Sequence, residues 1–207
     1  TIGNANAGNV LSANPTNADT LNGTPVTIAQ VNLSIVTAAT SIGGAPVPTI
    51  STTTGQVSVP AGTPAGTYTI VYSICEKLNP GNCDSATATI TVTAPAIDAV
   101  ADAIAGGNGT IGNANAGNVL SANPTNADTL NGNPVTIAQV NLTVVTAATS
   151  IGGAPVPSIN TTTGQVSVPA GTPAGTYTIV YSICEKLNPA NCDSATVTVN
   201  VTAPVID

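Results

Sequence analysis

Residues Gly62–Val92 read GTPAGTYTIVYSICEKLNPGNCDSATATITV, and the stretch returns at Gly171–Val201 with few changes. In its first half Tyr68, Ile70, Tyr72 and Ile74 alternate with Thr69, Val71, Ser73 and Cys75, the period of two that a strand with one buried face requires. After a polar loop, Ala86, Ala88, Ile90 and Val92 alternate with Ser85, Thr87, Thr89 and Thr91. Cys75 and Cys83 each fall opposite their strand's apolar row. Antiparallel pairing of the two strands therefore projects both thiols from one outer face, within bridging reach. Asn79-Pro80-Gly81-Asn82 supplies the turn chemistry between them. The spacing predicts a surface hairpin stapled by Cys75–Cys83, with a copy stapled by Cys184–Cys192.

Working outward, the whole chain is a duplication. Thr1–Asp98 aligns with Thr110–Asp207 with ten mild differences, among them Ala88/Val197, Ile90/Val199 and Thr91/Asn200. Two domains follow, 1–98 and 99–207, the first lacking the leading strand that Ala99–Ile104 supplies to the second before Gly106-Gly107-Asn108-Gly109 bends the chain. Within a repeat, Asn9-Val10-Leu11-Ser12 is a strand candidate, and the turn-forming segment 13–23 is a loop. Pro25–Thr37 holds a strand with Val31, Leu33 and Ile35 on one face. Val47–Ile50, flanked by prolines, is an edge strand, and Gln56–Val59 points Val57 and Val59 inward. Short strands between Gly, Pro and Asn turns, with no helical period, predict an all-β fold: two tandem antiparallel Ig-like β-sandwiches, each with its stapled C-terminal hairpin. Tyr68, just after Ala65-Gly66, stands where such folds place a corner tyrosine.

The composition removes most chemistry. There is no His, Trp, Phe or Met, and Lys77 and Lys186 are the only cations in a chain of net charge −7. That charge repels nucleic acid and anionic membranes. No segment reaches the ~20 apolar residues of a membrane-spanning helix. The paired cysteines indicate an oxidising compartment, and their spacing, without His or further Cys, does not suit zinc.

The runs GNVLSANPTNADTLNG, SVPAGTPAGTYTIVYSICEKLNPGNCDSATATITV and TAPAID resemble the tandem Ig-like repeats of very large bacterial surface proteins, including adhesins and the gliding-associated surface proteins. The most distinctive segment is Tyr72–Thr87 and its copy Tyr181–Thr196. The resemblance covers essentially the whole chain, twice. It implies an exported protein with many copies in series, serving as a stalk that holds an adhesive tip away from the cell. At Ser12-Ala13-Asn14-Pro15 this chain departs from the usual pattern, in which the sequence runs straight into the N-D-T-L-N-G turn.

Several sharper readings are weaker. Without His or Arg, a catalytic nucleophile needs activation by scattered loop acids such as Asp19, Glu76, Asp84 and Asp98, so no catalytic residue and no enzyme is expected. Asp98 and Asp102 at the junction, with Asn6, Asn14, Asn17 and Asp19, offer oxygens to calcium, but Ca²⁺ wants six to eight oxygen ligands; no metal or cofactor is expected, and the junction is read as semi-rigid and metal-independent. The Thr87, Thr89, Thr91 and Thr93 row is that of a solvated strand face, not an ice-binding ladder, and Asn200 interrupts its copy. Asp19-Thr20-Leu21, Asp84-Ser85-Ala86, Asp128-Thr129-Leu130 and Asp193-Ser194-Ala195 match an Asp-Ser/Thr-apolar O-glycosylation signal. An isopeptide crosslink is disfavoured because Lys77 lies in an exposed loop. The expected function is a structural spacer of an extracellular fibre or adhesin at a bacterial cell surface. Its partners are further copies in series, together with lateral or strand-donating fibre contacts. The alternative is a carbohydrate- or ligand-binding module, against which the four tyrosines, all on the core face, count.

Overall fold

The alternation in Gly66–Glu76 and Cys83–Val92 folds as read. In a computed structural model, which describes residues 2–11, 18–120 and 127–206, these segments are β7 and β8 of the first repeat. They pair antiparallel from Gly66↔Val92 to Cys75↔Cys83. Tyr68, Ile70 and Tyr72 are buried, each side chain of this kind being worth roughly 1.5–3 kcal/mol on transfer from water. By its contacts the chain divides into two units, Thr1–Ala94 and Pro95–Asp207.

The first unit also contains β1 (Asn4–Asn9), β2 (Thr20–Leu21), β3 (Thr24–Pro25), β4 (Val31–Thr37), β5 (Thr49–Ile50) and β6 (Gln56–Val59). Sheet β4-β7-β8 packs over sheet β1-β6-β5, with β2-β3 as a small hairpin. Leu33, Tyr68, Ile70 and Tyr72 meet Ile50, Val57 and Val59 in the core between the layers. Asn22-Gly23 joins β2 to β3 with φ of 53° and 76°, the double positive-φ turn that suits a two-residue hairpin.

The second unit repeats this plan. Its strands are β9 (Ile97–Asp98), β10 (Asp102–Asn108), β11 (Asn113–Asn118), β12 (Thr129–Leu130), β13 (Asn133–Pro134), β14 (Val140–Thr146), β15 (Ser158–Ile159), β16 (Gln165–Val168), β17 (Gly175–Glu185) and β18 (Cys192–Thr202). Sheet β10-β18-β17-β14 faces sheet β11-β16-β15, and β9 joins β12 and β13. Each unit is an all-β sandwich whose C-terminal hairpin carries its disulfide, and no helix occurs among the described residues.

The structure corrects several local expectations. The first strand is Asn4–Asn9, not residues 9–12, and it is largely exposed: backbone pairing to Gln56–Val59 forms it without an apolar row. Thr20 and Leu21, within the expected loop, form β2 and pair with Thr24 and Pro25 in the β2–β3 hairpin. Ile35 shares a face with Val31 and Leu33 in sequence yet is 36% exposed, because the register shifts between Ile35 and Thr37. The strand expected over Ala99–Ile104 is Asp102–Asn108, so Gly106-Gly107-Asn108 continues it through an irregularity between Ala105 and Gly107. It runs parallel to β18, the one parallel pair among the described strands. Residues 95–98 sit in the second unit, where Ile97 and Asp98 pair with Leu130 and Thr129. The Ser12–Pro15 departure and Asn14 and Asn17 lie outside the described residues.

Candidate functional site

The cysteines stand directly opposite each other at the loop end of the hairpin, Cα–Cα 4.1 Å apart in both repeats and disulfide-bonded. Beyond them the loop is held from within. Asn79 and Asn82 donate their side-chain N–H groups to the Glu76 carboxylate at 2.9 and 3.2 Å, which holds that carboxyl below its usual range. Lys77 donates to the Ile28 carbonyl at 2.7 Å, and Lys186 likewise to that of Ile137. The few charges of the hairpin loop are thus spent on fixing its shape.

The tyrosines do more than fill the core. Tyr68 donates to the Pro64 carbonyl at 2.9 Å and Tyr177 to that of Pro173 at 2.8 Å, the corner arrangement that ties a strand's start to the turn before it. Tyr72 donates instead to Asp19, its hydroxyl lying 3.1 and 2.9 Å from the two carboxylate oxygens. No local residue pattern marks this pair, which closes a gap of 53 residues. The clue was physical: a tyrosine hydroxyl buried with its ring normally finds a partner.

In the second unit the same pair becomes a buried cluster. The Tyr181 hydroxyl lies 3.0 and 3.2 Å from the Asp128 oxygens, 3.1 Å from Asp102 Oδ2 and 3.1 Å from the Val100 carbonyl. Asp128 is fully buried and Asp102 is 5% exposed. Burial pushes the Asp102 carboxyl up to about 7, helped by the Asp128 charge and opposed by the Tyr181 hydrogen bond. Asp128 rises to about 6, again chiefly through burial; the Val100 N–H and Tyr181 hold it down, and the Asp193 and Asp98 charges add to the rise. Asp19 in the first unit is raised by burial too, against its bond from Tyr72. Of the junction acids weighed for calcium, Asp98 is exposed on β9 while Asp102 is committed to Tyr181.

Segment 95–109 is gripped along its length. Asn191 donates to the Pro95 carbonyl, Asn131 exchanges two bonds with Ala96, Asp193 accepts from the Ala99 N–H at 2.8 Å, and Asp128 accepts from that of Val100 at 2.7 Å. Ile104 packs over Gly117, where any Cβ would stand 2.8 Å from its Cδ1. Gly109 lies so close to the Thr172 carbonyl that no side chain fits. Among the glycosylation candidates, Thr20, Ser85 and Ser194 are exposed, while Thr129 is half-buried on β12.

No family model matches the chain, and no curated protein sequence matches it. Solved structures with a similar arrangement include the human desmocollin-1 ectodomain, at 12% identity and TM-score 0.38 over 83% of this chain and 33% of that one. Domains EC21-23 of human CDH23 match at 12% identity and TM-score 0.37, over 84% of this chain and 63% of that one. The third cadherin domain of human protocadherin 7 matches at 14% identity and TM-score 0.36, over 56% of this chain and 92% of its own. The chain spans a third of the first of these structures and under two-thirds of the second.

Proposed function

We propose that the chain is a spacer region of an extracellular fibre or adhesin at a bacterial surface, made of repeats in series that supply length and presentation in place of chemistry. The observation that carries this reading is the way one repeat runs into the next. The polypeptide leaving β8 at Val92 becomes, after residues 93–96, the first strand of the following unit at Ile97. One segment is therefore both the exit of one repeat and the entry of another. The disulfides fit an oxidising, external setting. Surface polarity comes from Thr, Ser and Asn, since charged residues are 5% of the chain.

No observation favours the ligand-binding alternative. All four tyrosines are buried, and they are the chain's only aromatic side chains, so none is presented for stacking on a sugar. The test is electron microscopy of the intact protein with an antibody to the repeat: labelling along a filament supports the spacer reading. Saturable binding of this chain to a glycan array would overturn it. Calcium is expected to be irrelevant, and EDTA should leave thermal unfolding unchanged. A melting temperature that rises with added calcium would instead make Asp98 and Asp102 ligands.

A further inference from the structure

The sequence contains three Asn-Gly steps, Asn22-Gly23, Asn108-Gly109 and Asn131-Gly132. In such a step the glycine nitrogen has no side chain beside it to shield it, and it lies one ring closure away from the asparagine carboxamide. The fold treats the three steps differently. We propose that Asn131-Gly132 is a site of spontaneous covalent modification, at which the Gly132 nitrogen closes on the Asn131 side chain and the product releases the entry segment at Ala96–Asp98. The proposal does not depend on the chain being a spacer.

Asn108-Gly109 is closed to this chemistry. Gly109 is buried and its N–H donates to the Thr202 carbonyl at 3.0 Å, so the attacking nitrogen is already engaged. The Asn108 Oδ1 accepts from the Thr110 N–H at 2.9 Å, and the Thr172 carbonyl fills the space beside Gly109. Asn131-Gly132 is open. Both residues are exposed at the tip of the β12–β13 hairpin, and the ideal Cβ position at Gly132 meets nothing within 4 Å. Among the described residues no acceptor takes the Gly132 N–H. Asn22-Gly23 stands in the same kind of turn, equally exposed and with equal room.

The step balances with water alone. Gly132 N gives its proton to water or hydroxide and attacks Asn131 Cγ, and the new N–Cγ bond drives negative charge onto Oδ1. The Cγ–Nδ2 bond then breaks, and Nδ2 takes a proton from solvent and leaves as ammonia. Nothing is oxidised or reduced. Holding the two groups in one molecule removes the entropic cost of bringing them together. The Ala96 N–H already donates to Asn131 Oδ1 at 2.9 Å, where the charge develops. Water opens the cyclic imide at Cγ to give aspartate, or at the backbone carbon to give isoaspartate, whose main chain runs through Cβ and Cγ.

The isoaspartate product adds a methylene to the backbone of a two-residue turn with φ of 51° and 74°. That turn sets the register Thr129↔Pro134 and Leu130↔Asn133, and across the sheet Leu130↔Ile97. Asn131 also donates its backbone N–H to the Ala96 carbonyl at 2.7 Å. Both bonds to Ala96 therefore run through the residue that reacts.

The full chain is incubated, folded, in mildly alkaline buffer, and a second sample is incubated reduced and denatured. Peptide mass spectrometry follows the exchange of NH₂ for OH at each Asn-Gly step, and fragmentation separates aspartate from isoaspartate. In the denatured sample all three steps should react alike. In the folded sample Asn131 and Asn22 should convert at least about tenfold faster than Asn108. Hydrogen exchange is then read on the folded, aged chain. Molecules with isoaspartate at 131 should exchange at Ala96–Asp98 at least about tenfold faster than unmodified ones, with β17 unchanged. An inert Asn131, equal conversion of Asn131 and Asn108 in the folded chain, or unaltered exchange at Ala96–Asp98 after conversion would each overturn the proposal.

Discussion

Tyr181 has one proton and is within hydrogen-bonding distance of two carboxylates and a carbonyl. With both acids ionised, Tyr181 serves only one of them, Asp128 keeping its bond from the Val100 N–H, and two negative charges share a buried site. With Asp102 protonated, its O–H donates to the tyrosine oxygen, and Tyr181 in turn donates to Asp128. The cluster is therefore complete when it holds one extra proton. Both carboxyls have folded-state values, about 7 and about 6, above their values in the unfolded chain. Their contribution to stability is fully present below about pH 4 and is lost as pH rises towards 7. The second unit should thus lose stability between pH 4 and 7 more steeply than the first, whose only counterpart is Asp19. D102N should flatten that profile and stabilise the second unit at pH 8 by about 1–2 kcal/mol. Denaturant melts followed by unit-specific exchange across this range check both statements; a D102N chain with an unchanged profile would contradict the assignment.

Among the elements, β7 and β8 were legible because burial writes a period of two into the sequence, and the cysteine parity followed from it. β1 was misplaced because Asn4-Ala5-Asn6-Ala7-Gly8-Asn9 buries little and so leaves no apolar row to read. The parallel run of β10 was not legible either, since alternation tells which face a residue takes and says nothing of strand direction. Its Asp102 occupies an inward position beside Ile104, a placement that makes sense only once Tyr181 and Asp128 are seen around it. Tyr68 was read correctly because its partner at Pro64 is local, and Tyr72 was missed because Asp19 is far along the chain. The stapled hairpin gives the prediction proper to this scale. Replacing Cys75 and Cys83 with serine frees a loop whose closure removes about 2.5 kcal/mol of unfolded-state entropy in the chain-entropy account. The first unit should lose roughly that much in a denaturant melt, and the second should not change. A loss shared by both units would show that the bond acts beyond its own hairpin.

At the scale of the molecule, two units of nearly one sequence differ chiefly in whether a parallel strand lies on the last one. The chain enters β10 at Asp102 and leaves β18 at Thr202, and those strands run side by side in the same direction, from Asp102↔Val197 to Asn108↔Thr202. Tension applied through the two ends therefore drags β10 and β18 in opposite senses along their common axis. The bonds between them are loaded in shear, all at once, in place of opening one after another like a zipper. In the first unit the entering strand β1 pairs with β6 and the exiting strand β8 with β7, so no pair joins entry directly to exit. Stretched in a single-molecule force experiment, this chain should yield in two steps, the first unit at the lower force. A form of the chain with a copy of residues 95–109 joined ahead of Thr1, placed so that it can lie parallel along β8 as β10 lies along β18, should raise that first step towards the second, the added strand then acting as a mechanical clamp.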